Sequence, residues 1–153
     1  MNAPIPGAWL RAGISRDGGP LHETRHVVWV QSGEFYADSR GFAGTTVYDG
    51  RQVTFLHEVG SPGHDVGTLR REGADLIETG ENPDGSTFME VWTPLDGTDC
   101  AGGTGAGGDG TGDAVPEGSW HVGGTQTVRV GRHVVHVDSA ANGAHFVLPA
   151  DRP

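Results

Sequence analysis

Apolar and polar side chains alternate with a period of two along most of this chain, and glycine breaks the alternation at short intervals. VVWV (27–30) ends at Ser32–Gly33, and EFYADSR (34–40) follows. GTTVY (44–48) ends at Asp49–Gly50, and RQVTFLHEV (51–59) follows. GTLRRE (67–72) turns at Gly73 into ADLIETG (74–80), and FMEVWTPL (88–95) comes next. Later, TQTVRV (125–130) turns at Gly131–Arg132 into HVVHVDS (133–139), and AHFVL (144–148) closes the series. Short β-rich runs joined by Gly-containing turns are hairpin signals, and no apolar stripe of helical period and length competes with them. About eight to ten strands taken in sequence order give an all-β, antiparallel up-and-down sheet, which closes into a barrel because closure removes exposed edges. A two-sheet sandwich is the alternative. The 153 residues suit a single domain, 1–153.

The segment GTDCAGGTGAGGDGTGDAVPEG (97–118) has nothing to bury and is expected to be a mobile Gly-rich loop inserted between strands. Its GGTGAGG resembles a phosphate-binding loop, but it lacks a following helix with Lys-Ser or Lys-Thr. Cys100 has no basic partner nearby in sequence and is expected to be inert. WHVGG and the runs after Gly118 read as strands, which either close the barrel or pair with a second copy of the chain in a homodimer.

The formal charge of −10, with every positive residue an Arg and only Arg70–Arg71 adjacent, argues against nucleic-acid and anionic-membrane partners. The Ala, Gly and Arg bias without Lys is the composition of GC-rich bacterial genomes. One cysteine allows no internal disulfide. The start, MNAPIPGAWLRAG, lacks the positive region and apolar core of a secretory signal, and no apolar run reaches the ~20 residues of a membrane helix. A cytoplasmic protein is the expectation.

The stretch LIETGENPDGSTFMEVW (76–92) carries the sharpest chemical question. Pro83, Asp84 and Gly85 suit a three-residue hairpin loop, which pairs Asn82 with Ser86 and sets Leu76 against Trp92 and Glu78 against Glu90. Like charges directly opposite on a sheet destabilise it. Both faces of this hairpin are partly apolar, so periodicity leaves the inward side open. Outward glutamates would pair loosely with Arg51, Arg70 or Arg71. Inward ones could not both ionise, so one would hold a proton or a cation such as Arg40 would neutralise them.

Alternation also groups Tyr36, Asp38 and Arg40 on one face, and Phe55, His57 and Val59 on another. A lumen lined by Phe55, His57, Phe88 and Trp92, with Glu78 and Glu90 among them, suits a small, partly aromatic guest. Eight histidines raise the question of metal, but no HxH, HExxH or CxxC occurs, so no cofactor or metal is expected from spacing. A site assembled across strands from His57, Glu78 and Glu90 stays open, as does haem on a lone histidine.

Taken in order, Trp9, ETRHVVWV, FYADSR, GFAGTTVY, FLHEVGS, LIETGENP and FMEVW resemble the Hri-one family over residues 8–95. This is a fungal family of lipocalin-like barrels, two to a chain, with no settled biochemical role. Asp38, Arg40, His57, Glu78, Glu90 and Trp92 match its pattern. Phe88–Met89 replaces an aromatic–acid pair, and the Gly-rich insertion has no counterpart. The resemblance implies a single lipocalin-like barrel of calycin type, with Glu78, Glu90 and Trp92 turned inward and Arg40 and His57 as counter-charges.

Three functions fit this reading. The first is a small-molecule-binding barrel, with Trp92, Phe88 and Phe55 as walls and Tyr36 and Asp38 beside them. The second is a cofactor-free isomerase, cyclase or hydratase. In it His57 is the base, Glu78 or Glu90 the acid, and Arg40 the stabiliser of developing charge. The third is a structural or interaction protein with a filled core.

Overall fold

The computed structural model describes residues 5–95 and 117–149, with the side chain of Glu117 excluded. Eight strands form a closed antiparallel barrel in sequence order: β1 (Gly7–Arg16), β2 (Val28–Ser32), β3 (Phe35–Asp38), β4 (Phe42–Tyr48), β5 (Gln52–Gly60), β6 (Gly63–Glu72), β7 (Asp75–Glu81) and β8 (Thr87–Pro94). β8 returns to pair with β1, so no edge is left. The remaining strands do not close the barrel. β9 (Glu117–Val122), β10 (Thr125–Val130), β11 (His133–Val137) and β12 (Gly143–Val147) form a separate four-stranded sheet. Most of the loop expected over 97–118, with Cys100, lies outside the described residues, while Glu117–Gly118 opens β9. Among the described residues no helix is long and apolar enough to cross a membrane.

The β7–β8 hairpin forms as its turn residues dictate. Asn82 N–H donates to Ser86 O at 2.7 Å, Gly85 N–H donates to Asn82 O at 2.9 Å, and Gly85 takes a φ of 91° that a β-carbon disfavours. The register follows, with Leu76 opposite Trp92, Glu78 opposite Glu90 and Gly80 opposite Phe88.

Two bulges reset the alternation elsewhere. Ala12 is an extra residue on β1, so Arg11 lies opposite Trp92 and Gly13 opposite Val91. Glu58 is an extra residue on β5, where Ala43 pairs with Val59 and Gly44 with His57. Phe55 therefore packs in the lumen, while Val59 joins the outer layer and not the face expected for it.

Two apolar layers result. Inside the barrel, Ile5, Trp9, Trp29, Val53, Leu69 and Leu76 fill one end. Outside it, Ala8, Val28, Val30, Ala37, Ala43 and Val59 meet Val128, Val130, Val135 and Val137 of the second sheet. Strand β2 is therefore buried on both faces, which explains its uninterrupted VVWV. Gln126 pins the sheets together, its side-chain amide donating to Tyr36 O at 2.8 Å and Gly44 O at 3.0 Å. A second close approach sets Gly41 against Ala141, where a β-carbon would stand 2.1 Å from the Ala141 carbonyl.

A row of histidines joins the same two bodies. His145 Nδ1 lies 3.1 Å from His26 Nε2, and His145 Nε2 lies 3.0 Å from His133 Nδ1, with the rings stacked. Burial, then the neighbouring His133 and His26, pushes His145 down to about 4. A histidine held below its unfolded pKa takes up a proton on unfolding. The stability it supports is present above pH 6.5 and is lost as pH falls toward 4. His145→Gln is expected to flatten the loss of thermal stability in that window. Melting curves of both proteins across the window check this, and equal slopes would remove His145 as the cause.

Candidate functional site

The filled end of the barrel gives way to a cavity of about 150 Å³ toward the β7–β8 hairpin. Alternation and the two bulges decide what reaches it. Glu78 and Glu90 point inward from neighbouring strands and are almost fully covered, with exposures of 4% and 5%. Gly67 on β6 makes room for Glu78, since a β-carbon there would lie 2.8 Å from Glu78 Oε2.

Two arginines meet the carboxylates. Arg11 Nη1 donates to Glu90 Oε2 at 2.7 Å, and its other edge grips Glu23 at 2.7 Å and 3.1 Å. Arg40 holds Asp38 in a two-point contact at 3.0 Å and 2.8 Å and reaches Glu90 Oε2 at 3.4 Å. Glu78 takes a different partner, the Trp92 indole N–H at 3.2 Å. Arg51, Arg70 and Arg71 take no part in this cluster; Arg70 pairs with Glu72 outside it.

Burial first, then the charge of Glu90, holds the Glu78 carboxyl well above the usual carboxylate range, and a hydrogen bond to Glu90 adds to the effect. Both arginines reach Glu90 while Glu78 meets the Trp92 indole, so Glu78 is the member of the facing pair that burial drives toward the protonated form. Burial opposes the charges of Arg11 and Arg40. The hydrogen bonds of Arg11 to Glu23 and Glu90, and the nearby Asp38 and Glu90 around Arg40, outweigh it, so both guanidinium pKa values lie above the ordinary one. The ladder conflict is resolved by one proton and two cations.

Glu78→Gln tests this assignment. The amide keeps an acceptor for Trp92 and supplies a permanent donor to Glu90. A carboxyl raised on folding contributes stability below its unfolded pKa of 4.5 that is lost as pH rises through its folded value. Glu78→Gln is expected to be more stable than wild type at pH 7, by about 1 kcal/mol, and to lack that alkaline decline. Denaturant titrations at several pH values check it; a less stable variant at pH 7 would mean that Glu78 is ionised.

The residues singled out from sequence are largely brought together. Glu78, Glu90, Arg40 and Asp38 line the cavity, as do the aromatic residues Trp92, Phe88, Phe55 and Tyr36. His57 is not among the lining residues. Its Nε2 lies 3.1 Å from Asp65 Oδ2, and its ring stacks on Phe42 at 4.4 Å. It is therefore the partner of Asp65 and not the counter-charge of the glutamates; that part falls to Arg11 and Arg40. His57 and His121 are also apart, the latter resting edge-on against Phe35. Among the described residues no group of three His, Cys, Asp or Glu side chains is placed to hold a metal ion.

Sequence reasoning passed over Arg11, Trp29, Phe42 and Asp65. Trp-x-Arg at 9–11 is an alternation signal that places Arg11 on the side of Trp9. Asp65 had no local signal, because the pairing of β5 with β6 brings it to His57's neighbour Phe55. Comparison with known proteins finds no matching family model, no similar curated protein and no similar solved structure, so the chemistry of the cavity rests on its own geometry.

Proposed function

We propose that this protein is a small-molecule-binding barrel that holds an apolar or aromatic metabolite in its lumen. The observation that carries the proposal is the contrast between the two ends. One end is packed solid around Trp9, while the other keeps about 150 Å³ open between aromatic rings and a polar cluster whose charges are already matched. A structural barrel gains nothing from that space, since filling it would add stability. A cavity of this volume takes one benzene-sized guest.

A thermal-shift screen of ring-sized metabolites tests the proposal. A guest at 100 times its dissociation constant adds about 2.7 kcal/mol to stability. No shift across a broad library would leave the filled-core, structural reading in place.

The enzyme reading has one observation in its favour, a lumenal Glu78 carboxyl whose pKa burial raises well above the usual carboxylate range. It lacks a free base: His57 is engaged with Asp65, and Asp38 and Glu90 are held by arginines. Binding without turnover is the better-supported function.

A further inference from the structure

If the cavity is a binding site, its wall also restricts the class of guest. Three properties of the wall bear on this.

The first is charge. Each buried ion in the wall already has a partner: Arg11 holds Glu90 and Glu23, and Arg40 holds Asp38. A guest ion would enter without a buried counter-charge and would forfeit its hydration. At the rim Arg16 and Asp65 are both exposed and opposite in sign, so the rim selects neither charge.

The second is the wall's apolar surface. Trp29 meets Phe55 and Trp92 edge-on at 5.3 Å, and Tyr36 meets Phe55 at 5.0 Å. Such rings favour a planar apolar body.

The third is an unmet donor. Among the described residues three buried side-chain atoms have no hydrogen-bond partner: Tyr36 Oη, His57 Nδ1 and Gln126 Oε1. Of the three residues only Tyr36 lines the cavity. Burial, then the nearby Asp38, pushes the Tyr36 phenol up, so it stays protonated and can donate. Leaving such a hydroxyl buried and unpaired costs about 1–3 kcal/mol, which an oxygen on the guest would recover.

We propose that the guest is an uncharged, ring-sized compound carrying an oxygen acceptor, which takes the hydrogen bond of the Tyr36 hydroxyl. The proposal rests on the binding reading above, and the two can fail separately. The rival partner for the hydroxyl is His57 Nδ1, whose ring centre lies 6.4 Å from that of Tyr36.

Four probes of similar size decide it: acetophenone, ethylbenzene, benzoate and benzylamine. Each is titrated into wild type and Tyr36→Phe while the indole N–H signals of Trp29 and Trp92 are followed by NMR. Wild type should bind acetophenone about tenfold more tightly than ethylbenzene, the equivalent of one lost hydrogen bond. Benzoate and benzylamine should leave both signals unmoved. Tyr36→Phe should lose the preference for acetophenone over ethylbenzene, and its melting curve and amide NMR spectrum report separately whether the fold is intact.

Equal affinity for acetophenone and ethylbenzene in wild type would overturn the guest class and leave the binding site standing. So would a preference that survives in Tyr36→Phe, or tighter binding of either ion. If no probe moves either signal, the binding reading itself fails and the guest class with it.

Discussion

Glu90→Gln is expected to destabilise the barrel by about 3 kcal/mol, the lower end of what breaking a buried ion pair costs. For a chain of this length that is a fall in melting temperature of roughly 6–12 °C. Glu90 is the one carboxylate that both buried arginines share. Arg11, 5% exposed, donates to it at 2.7 Å, and Arg40 reaches it at 3.4 Å. Removing its charge leaves each arginine with a single acidic partner, Glu23 or Asp38. The loss stays at the lower end because Glu78, freed from its charged neighbour, can then ionise in Glu90's place. That substitution of roles gives the prediction its sharpest form. Glu78→Gln raises stability in wild type, where Glu78 carries the proton, and lowers it in the Glu90→Gln background, where Glu78 carries the charge. A double-mutant cycle by denaturant unfolding at pH 7 reads the change of sign. The same effect of Glu78→Gln in both backgrounds would mean that the two carboxyls do not share one proton and two cations.

That arrangement was half legible in the sequence. Pro83, Asp84 and Gly85 fix the hairpin loop by local chemistry, and a fixed loop fixes the register, so the facing of Glu78 and Glu90 follows from a few adjacent residues. Which way the pair faces does not follow, because Ile77 and Val91 make the opposite side apolar too, and only closure of the barrel decides between them. The counter-charges were harder still. Alternation from Trp9 gives the side of one arginine but only the pairing of β1 with β8 brings it to Glu90, and the β3–β4 turn places the other. A bulge shifts alternation by one residue without a composition signal of its own, and for the same reason Val59 was placed on the wrong side of β5. The second sheet had a signal that local reading does not use. Three small residues, Ala8, Ala37 and Ala43, with Val28 and Val30 of VVWV, leave the outer wall apolar and low, which is the surface of a strand that something covers. His57 was misassigned because its partner Asp65 arrives from another strand; no spacing in the sequence ties them.

Trp29→Ala should be the costliest single truncation of the lumen, at about 3–5 kcal/mol. Trp29 is 1% exposed and lies at the boundary between the packed end and the open end. It stacks near Trp9 with centroids 6.1 Å apart and meets Phe55 and Trp92 edge-on, so its loss removes support from three rings at once. Its indole N–H donates to Gln31 Oε1 at 3.0 Å, and that oxygen keeps a second donor in Thr46 Oγ1 at 3.1 Å. The penalty is therefore one of packing rather than of a stranded polar group. The space released is continuous with the cavity, which Trp29 already lines, and it has the shape of an indole. Free indole should consequently restore part of the lost stability in Trp29→Ala and stabilise it more than it stabilises wild type, which lacks the indole-shaped space. Thermal melts of both proteins with and without indole read this directly. A loss below about 1 kcal/mol, in the range of ordinary surface substitutions, would show that the lumen collapses around the deletion. Equal stabilisation of both proteins by indole would mean that the deletion opens no space that a guest can use.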